Sequence, residues 1–403
     1  MGFDLERFIG KNVTLRDKSM FLSDIEANRE RLIEKIKGKS VLVIGGAGSI
    51  GSSYIRAVLG FGPSELVVVD VNENGLAELT RDLRGRMGIN VPEKYVTYPM
   101  DFSSRVFEKM FRKHGGFDIV ANFSAHKHVR SEKDIFSVEA LLSNNVLKAK
   151  GLLDLLAEYP PEEYFCVSTD KAANPVNIMG ASKRIMEDLI FSYSDVFPVK
   201  TARFANVAFS NGSLPDGFLR RIEKLQPIGA PMDVRRYFVS PEESGQICMM
   251  SCMLGENREI FFPKLQEEQM MTFDEIARRL LGEMGYKVKE CASDAEAVGA
   301  ASLLKKGGHE YPVHFSVSDT SGEKAYEEFF TESESVDMDR FSSLGIVKEK
   351  PVPDKERLGR LLESLADAFE DDDVNKEMIV RIISEYLPEF SHIETGKGLD
   401  GKL

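Results

Sequence analysis

The chain has 403 residues, 42% of them hydrophobic and 29% charged, with a formal charge of −13 at neutral pH. That length buries a large core and allows two lobes or one domain with a long extension, while the acidic balance argues against generic nucleic-acid binding, which needs a basic face toward the phosphates. The start MGFDLERFIGKN lacks a basic segment ahead of an apolar one and no apolar run approaches the ~20 residues of a membrane span, so the expected location is the cytoplasm. Four cysteines, at 166, 248, 252 and 291, are too few and too scattered for a disulfide scaffold. Cys248 and Cys252 share helical spacing in QICMMSCML, but without neighbouring His or acidic ligands they read as buried packing, and no metal is expected.

Residues 23–38 predict a leading helix: Ser23 and Glu26 form a capping-box pattern, Ile25, Leu32, Ile33 and Ile36 share a face, and Gly38 suits the stop. Residues 1–39 are therefore assigned to an N-terminal helical extension. Six apolar runs follow, Val41–Gly45, Leu66–Asp70, Tyr95–Met100, Ile119–Phe123, Tyr164–Thr169 and Lys200–Phe204, with helical stretches between them. That alternation implies an α/β fold with a doubly wound parallel sheet of the Rossmann type over residues 40–205. Ligands of such sheets collect at the carboxyl ends of the strands.

The first of those ends carries SVLVIGGAGSIGSS. Gly45, Gly48 and Gly51 have GxxGxxG spacing, a strand precedes them, a helix opens at Ser49 and Ile50, and Asp70 closes the second strand 19 residues after Gly51. Glycines let the backbone approach a pyrophosphate at the helix N-terminus, and the carboxylate accepts ribose hydroxyls. Asp70 would repel the extra phosphate of NADP, and VNEN after it holds no arginine, so the expected cofactor is NAD. Asp101 and Phe102, after the third strand, are placed beside the adenine, and Ser124 at the end of the fourth.

Residues 165–184, FCVSTDKAANPVNIMGASKR, hold the densest chemistry. Thr169, Asp170 and Lys171 follow a strand end, and Met179 and Lys183 sit at i and i+4, one helical turn apart. The stretch resembles the NAD-dependent nucleotide-sugar 4,6-dehydratases of the extended short-chain dehydrogenase/reductase superfamily. In that superfamily a Tyr and a Lys share the i, i+4 spacing, and here Met179 stands in the tyrosine's place. A thioether cannot move a proton. STDKA followed by NP, N and MG is similar to the CapD-like polysaccharide-biosynthesis branch, and the missing Tyr to its configuration-retaining, legionaminic-acid-pathway type. Further matches are SAHKHVRSEKD at 124–134, RFANVAFSNGSL at 203–214, RRYFVSPEESG at 235–245 and SDTSGEKAYEEFF at 318–330. His126 departs from the pattern, where an apolar residue is usual.

The resemblance implies 4,6-dehydration of UDP- or GDP-linked N-acetylglucosamine to the 4-keto-6-deoxy sugar with retained C5 configuration, for a bacterial surface glycan or nonulosonic acid. It assigns Asp170 as the acid that expels the C6 hydroxyl, Lys171 as the base at C5, Thr169 as a hydrogen bond to the C4 oxygen, and Lys183 as a contact to the nicotinamide ribose. Lys127, Asn206, Ser213 and Arg236 fall at substrate positions, Asn145 reads as a structural amide, and His126 and His128 as packing or hydrogen-bonding residues. The alternatives are an inverting dehydratase, a nucleotide-sugar epimerase, and a catalytically silent NAD-binding protein.

After about residue 205 the β/α rhythm gives way to Gly- and Pro-rich loops and short helices, so residues 206–345 are assigned to a nucleotide-sugar-binding lobe. Arg220, Arg221, Lys224, Arg235 and Arg236 offer a basic patch for a diphosphate. A helix starts near Thr272, with Glu275 as capping-box partner. Residues 346–403 form a C-terminal extension in which the acidic run Glu370–Asp373 leads into a last helix at about 374–387. Apolar positions in 135–158 and 185–192 could bury against a second subunit, so a homodimer or larger homo-oligomer is expected.

Overall fold

The structure, a computed structural model, describes residues 3–127, 132–304, 308–318, 327–348 and 350–393; His128 lies outside them. Six parallel strands, β1 (Ser40–Ile44), β2 (Glu65–Asp70), β3 (Lys94–Pro99), β4 (Ile119–Asn122), β5 (Glu163–Val167) and β6 (Val199–Ala202), occupy the six apolar runs to within a residue or two. They lie side by side in the order 3-2-1-4-5-6. SVLVI, ELVVVD and EYFCV are close to continuously apolar because helices cover both faces. The order reverses between β1 and β4, and there the crevice for a ligand opens.

The sheet does not end at β6. Glu259–Pro263 adds a further parallel strand, and Leu344–Lys348 and Ser335–Asp337 follow antiparallel, making nine strands. The two lobes therefore interleave along the chain instead of succeeding one another at residue 205. The second lobe is a three-stranded parallel sheet of Ile228–Pro231, Glu310–Ser316 and Lys287–Glu290, backed by helix Phe273–Glu283. Thr272 stands at the N-cap of that helix, but its hydroxyl donates to Asp274 Oδ1 at 2.6 Å and caps no backbone N–H, so the expected box with Glu275 does not form.

The N-terminal extension is shared between the cores. Phe8, Ile9 and Val13 pack into the second lobe, and Phe21, Leu32 and Ile36 into the first. The single helix expected over 23–38 is two, Leu22–Ala27 and Arg29–Ile36. Asn28 breaks it by turning its amide back to the Asp24 carbonyl at 2.8 Å. Asp24 itself is buried, where its carboxylate accepts the Ser342 and Ser343 N–H groups. Ser23 caps nothing: the helix begins at Phe21, and the Ser23 hydroxyl faces that of Ser342. Cys248 and Cys252 are buried in helix Pro241–Leu254, with the Tyr54 hydroxyl against Cys252.

At the other end, helices Lys355–Phe369 and Lys376–Tyr386 form a hairpin whose Leu358, Leu361, Leu365, Ile379 and Ile383 join the main core. Val138, Leu141, Leu152, Leu153, Ile185 and Leu189, expected to await a second subunit, are already buried in that same core within one chain. Among the described residues no helix is long and apolar enough to cross a membrane.

Candidate active site

Three loops converge at the carboxyl ends of β1, β4 and β5. Gly45 has φ +75°, and a Cβ on it would stand 2.7 Å from the Ser124 amide nitrogen; a Cβ on Gly51 would stand 2.4 Å from the Gly45 carbonyl oxygen. Only glycine lets the first loop fold this tightly against its own helix and the end of β4. Gly48 is the N-cap of helix Ser49–Leu59 and offers no capping side chain, so the first N–H groups of that helix are left for an anion to meet. Asp70 closes the loop from the side, accepting the Ala47 and Asn72 N–H groups at 2.9 Å each. Such a cradle fits a dinucleotide, with Gly45, Gly48, Ser49, Ile50 and Gly51 at the pyrophosphate and Asp70 at a ribose diol.

Asp101 and Phe102 have structural work of their own. The Asp101 carboxylate takes the Lys148 ammonium at 2.6 Å and the Ser103 N–H and hydroxyl at 2.8 Å each; burial disfavours its charge, but these bonds win and hold it below the usual carboxylate range. Phe102 is buried in the main core.

The turn after β5 holds the chemical cluster. Asp170 is buried, not a surface ion: Thr169 Oγ1 donates to its Oδ1 at 2.6 Å, and Lys171 Nζ to both carboxylate oxygens at 3.1 Å. Helix Ile178–Phe191 packs directly on this turn, since a Cβ on Gly180 would meet the Lys171 carbonyl at 2.7 Å. That contact accounts for the glycine next to Met179. Met179 is buried, and Lys183, one turn on, donates to the Val167 carbonyl at 3.1 Å. Burial pushes the Lys183 ammonium down, against the charges of Cys166 and Glu187.

The N-terminus of this helix is fixed by a residue that no motif singled out. Glu132 accepts the Ile178 N–H at 3.1 Å and the Met179 N–H at 2.8 Å, the arrangement that favours a carboxylate at a helix start. The C-terminal hairpin locks it: Lys376 Nζ donates to the Glu132 carbonyl at 2.8 Å, and the Ile393 N–H to the Val176 carbonyl at 3.1 Å. Glu132 lies within the SAHKHVRSEKD match, but its role was not legible there because it meets 178–179 and 376 only in the folded chain. Asn145, in a π-turn at Ser143–Leu147, bonds both backbone groups of His126 and the Ser182 hydroxyl, and so ties the loop bearing Lys127 to the Met179 helix.

The facing wall belongs to the second lobe. The Asn211 N–H donates to Ser49 Oγ at 2.9 Å, joining that wall to the glycine loop. Lys127 is exposed within the cleft; the surrounding protein lowers its pKa, with the charge of Asp216 opposing. Ser213 caps helix Leu214–Glu223, its hydroxyl accepting the Asp216 N–H. Of the basic patch, Arg220 pairs with Asp216 and Arg235 with Glu267 on the solvent side, whereas Arg236 is buried beside Glu327. Asn206 donates to the same Glu327 at 2.6 Å. The structure thus sets Ser124 against the glycine loop at Gly45, Lys183 against the strand that leads into the Thr-Asp-Lys turn, and Glu327 between that turn and the pair Asn206 and Arg236, with Ser213 at the start of helix Leu214–Glu223.

A 3-2-1-4-5-6 parallel sheet with this glycine loop, an acidic end to β2 and a Thr-Asp-Lys turn after β5 has the extended short-chain dehydrogenase/reductase fold. The chain belongs to the polysaccharide biosynthesis protein family, whose model matches residues 41–349. The probable polysaccharide biosynthesis protein EpsC of Bacillus subtilis is 29% identical over 315 residues, covering 77% of this chain and 48% of EpsC; the chain thus spans about half the length of that relative. The inverting UDP-N-acetylglucosamine 4,6-dehydratase of Campylobacter jejuni strain 81-176 is 24% identical over 271 residues, 62% of this chain and 73% of that enzyme. Among solved structures, a double mutant of the dTDP-glucose 4,6-dehydratase DesIV of Streptomyces venezuelae, with NAD bound, superposes with TM-score 0.54 at 18% identity, covering 72% of this chain and 87% of that one, a likeness of fold.

Proposed function

We propose that the protein is an NAD-dependent nucleotide-sugar 4,6-dehydratase acting on UDP- or GDP-linked N-acetylglucosamine with retention at C5. The carrying observation is the buried Asp170 carboxylate, hydrogen-bonded by both Thr169 and Lys171, in the turn after β5. An epimerase has no C6 hydroxyl to expel and no need of such an acid. Bound NAD supplies the acceptor for the C4 hydride and the donor that returns it to C6. Thr169 lies between the C4 hydroxyl and Asp170, and its 2.6 Å bond to Asp170 Oδ1 makes a path for the C4 proton. Asp170 passes that proton to the C6 hydroxyl, which leaves as water, while Lys171, as the free amine, takes the C5 proton, exchanges it with solvent and returns a solvent proton to the same face of C5. Every proton is accounted for without a tyrosine. The Campylobacter relative is an inverting enzyme; the retaining assignment rests on Met179.

The test is incubation with UDP-N-acetylglucosamine, and separately its GDP counterpart, in heavy water, read by mass spectrometry and proton NMR. Loss of one water with deuterium at C5 and unchanged C5 configuration is expected. Inverted C5 would overturn retention alone, an isomer of unchanged composition would make the protein an epimerase, and bound NAD with no turnover of either sugar would leave a silent binder.

Met179→Tyr is expected to give no gain in kcat, because the Thr169–Asp170 path already serves the C4 proton. A gain of about 10²-fold or more, the scale of added general acid–base catalysis, would show instead that the site is an impaired form of the tyrosine-containing one.

A further inference from the structure

Glu327 is buried against the strands that carry Asn206 and Arg236. Its carboxyl is 2% exposed, and Oε1 lies 3.9 Å from Nε of Arg236, itself 7% exposed. Oε1 also accepts the Asn206 amide at 2.6 Å, and the other oxygen accepts the Tyr237 N–H at 3.0 Å. The next residue, Glu328, accepts the Asn174 amide at 3.1 Å. The segment is thus fastened on one side to the turn just past Lys171 and on the other to the strands carrying Asn206 and Arg236.

Three anionic groups then compete for one small volume: Asp170, Glu327 and the diphosphate of a nucleotide sugar. Lys171 and Arg236 are the cations that face Glu327 there. A buried carboxylate next to another gives up its charge most readily. Burial first, and the Asp170 charge second, push Glu327 up to about 8, against Lys171 and Arg236. As a neutral acid it still accepts from Asn206 and Tyr237, offers an O–H donor, and does not compete for the Arg236 charge.

We propose that Glu327 is a positioning residue of the substrate site that works as the neutral acid, presenting Asn206 and Arg236 to the diphosphate of the substrate, and that its ionisation closes the site to nucleoside diphosphates. This rests on the placement of Asn206 and Arg236 at the diphosphate. Ionised, Glu327 pairs with Arg236 and adds a negative charge facing the ligand, so affinity falls as pH rises through the titration of Glu327.

The experiment is calorimetric titration of the full chain with UDP, and separately GDP, at pH 7 and pH 9, for wild type and Glu327→Gln. Any change at Lys127 is common to both proteins, and their difference isolates Glu327. Wild-type affinity is expected to fall about tenfold at pH 9, the ionised excess one unit above a pKa of about 8. Glu327→Gln, which cannot ionise, should show a fall at least threefold smaller. Arg236→Gln provides a second reading: weaker binding at pH 7 and an equally flattened pH dependence. Parallel pH dependences in wild type and both variants would overturn the proposal, as would failure of both nucleotides to bind wild type at pH 7. Flattened dependences without turnover of any nucleotide sugar would support it and sink the dehydratase reading.

Discussion

Lys171→Ala is expected to lower kcat for dehydration by about 10³-fold, in the middle of the range for loss of a general base, and to abolish deuterium uptake at C5. Lys171 Nζ lies 3.1 Å from each Asp170 oxygen, so alanine removes the group that takes the C5 proton and also the counter-ion of the acid. Arginine separates the two effects. It keeps a positive charge on Asp170, but its guanidinium does not deprotonate in a protein, so Lys171→Arg should fold, bind NAD and UDP, and remain without C5 exchange. Proton NMR in heavy water under single-turnover conditions is the measurement. Arginine-supported exchange at wild-type rate would reduce Lys171 to an ion-pair partner and move the base elsewhere, with Glu327, which faces the charges of Asp170 and Lys171, a titratable candidate.

That candidate shows where sequence reading stops. β1 to β6 were legible because strands buried on both faces leave continuous apolar runs, and VLVI and LVVV have no other economical reading. The glycine loop, Asp70 and Thr169–Lys171 were legible because each is a local pattern at a strand end. Glu327 and Glu132 were not, since each acts on residues 46 to 157 positions away by contacts that only the folded chain creates. The break at Asn28 was hidden for a related reason: Asp24 gave up a helix surface for the N–H groups of Ser342 and Ser343, more than 300 residues on. The strands at 259–263 and 335–348 were missed because the β/α alternation had lapsed before them, and an antiparallel return leaves no such rhythm.

Arg203→Leu is expected to cost about 3–5 kcal/mol of stability, the scale for removing one partner of a buried ion network, read as a fall in the urea midpoint at pH 7. Arg203 is fully buried and grips two carboxylates: Glu187 at 2.8 and 2.6 Å, and Glu334 at 2.8 and 3.1 Å. Both carboxylates are buried, and though burial opposes their charge, Arg203 holds Glu187 low and brings Glu334 down to about 2. With folded values depressed, this network stabilises wild type above the ordinary glutamate range, and the contribution is lost as pH falls through about 2. Leucine leaves Glu187 with Arg184 at 3.6 Å and Glu334 with Lys350 at 2.8 Å, one buried cation fewer for the two carboxylates, so protonation eases folding and the deficit should shrink when unfolding is repeated at pH 5. Lysine does not rescue, because one ammonium cannot meet two carboxylates along both of their edges. An equal deficit at both pH values would mean lost packing, not stranded charge. Glu187 also accepts the Ser168 hydroxyl at 2.6 Å, one residue before Thr169, and Glu334 takes Lys350 at 2.8 Å. The network therefore ties the chemical turn and the Met179 helix to the segment returning from the second lobe, and a variant stable enough to assay should lose kcat along with its midpoint.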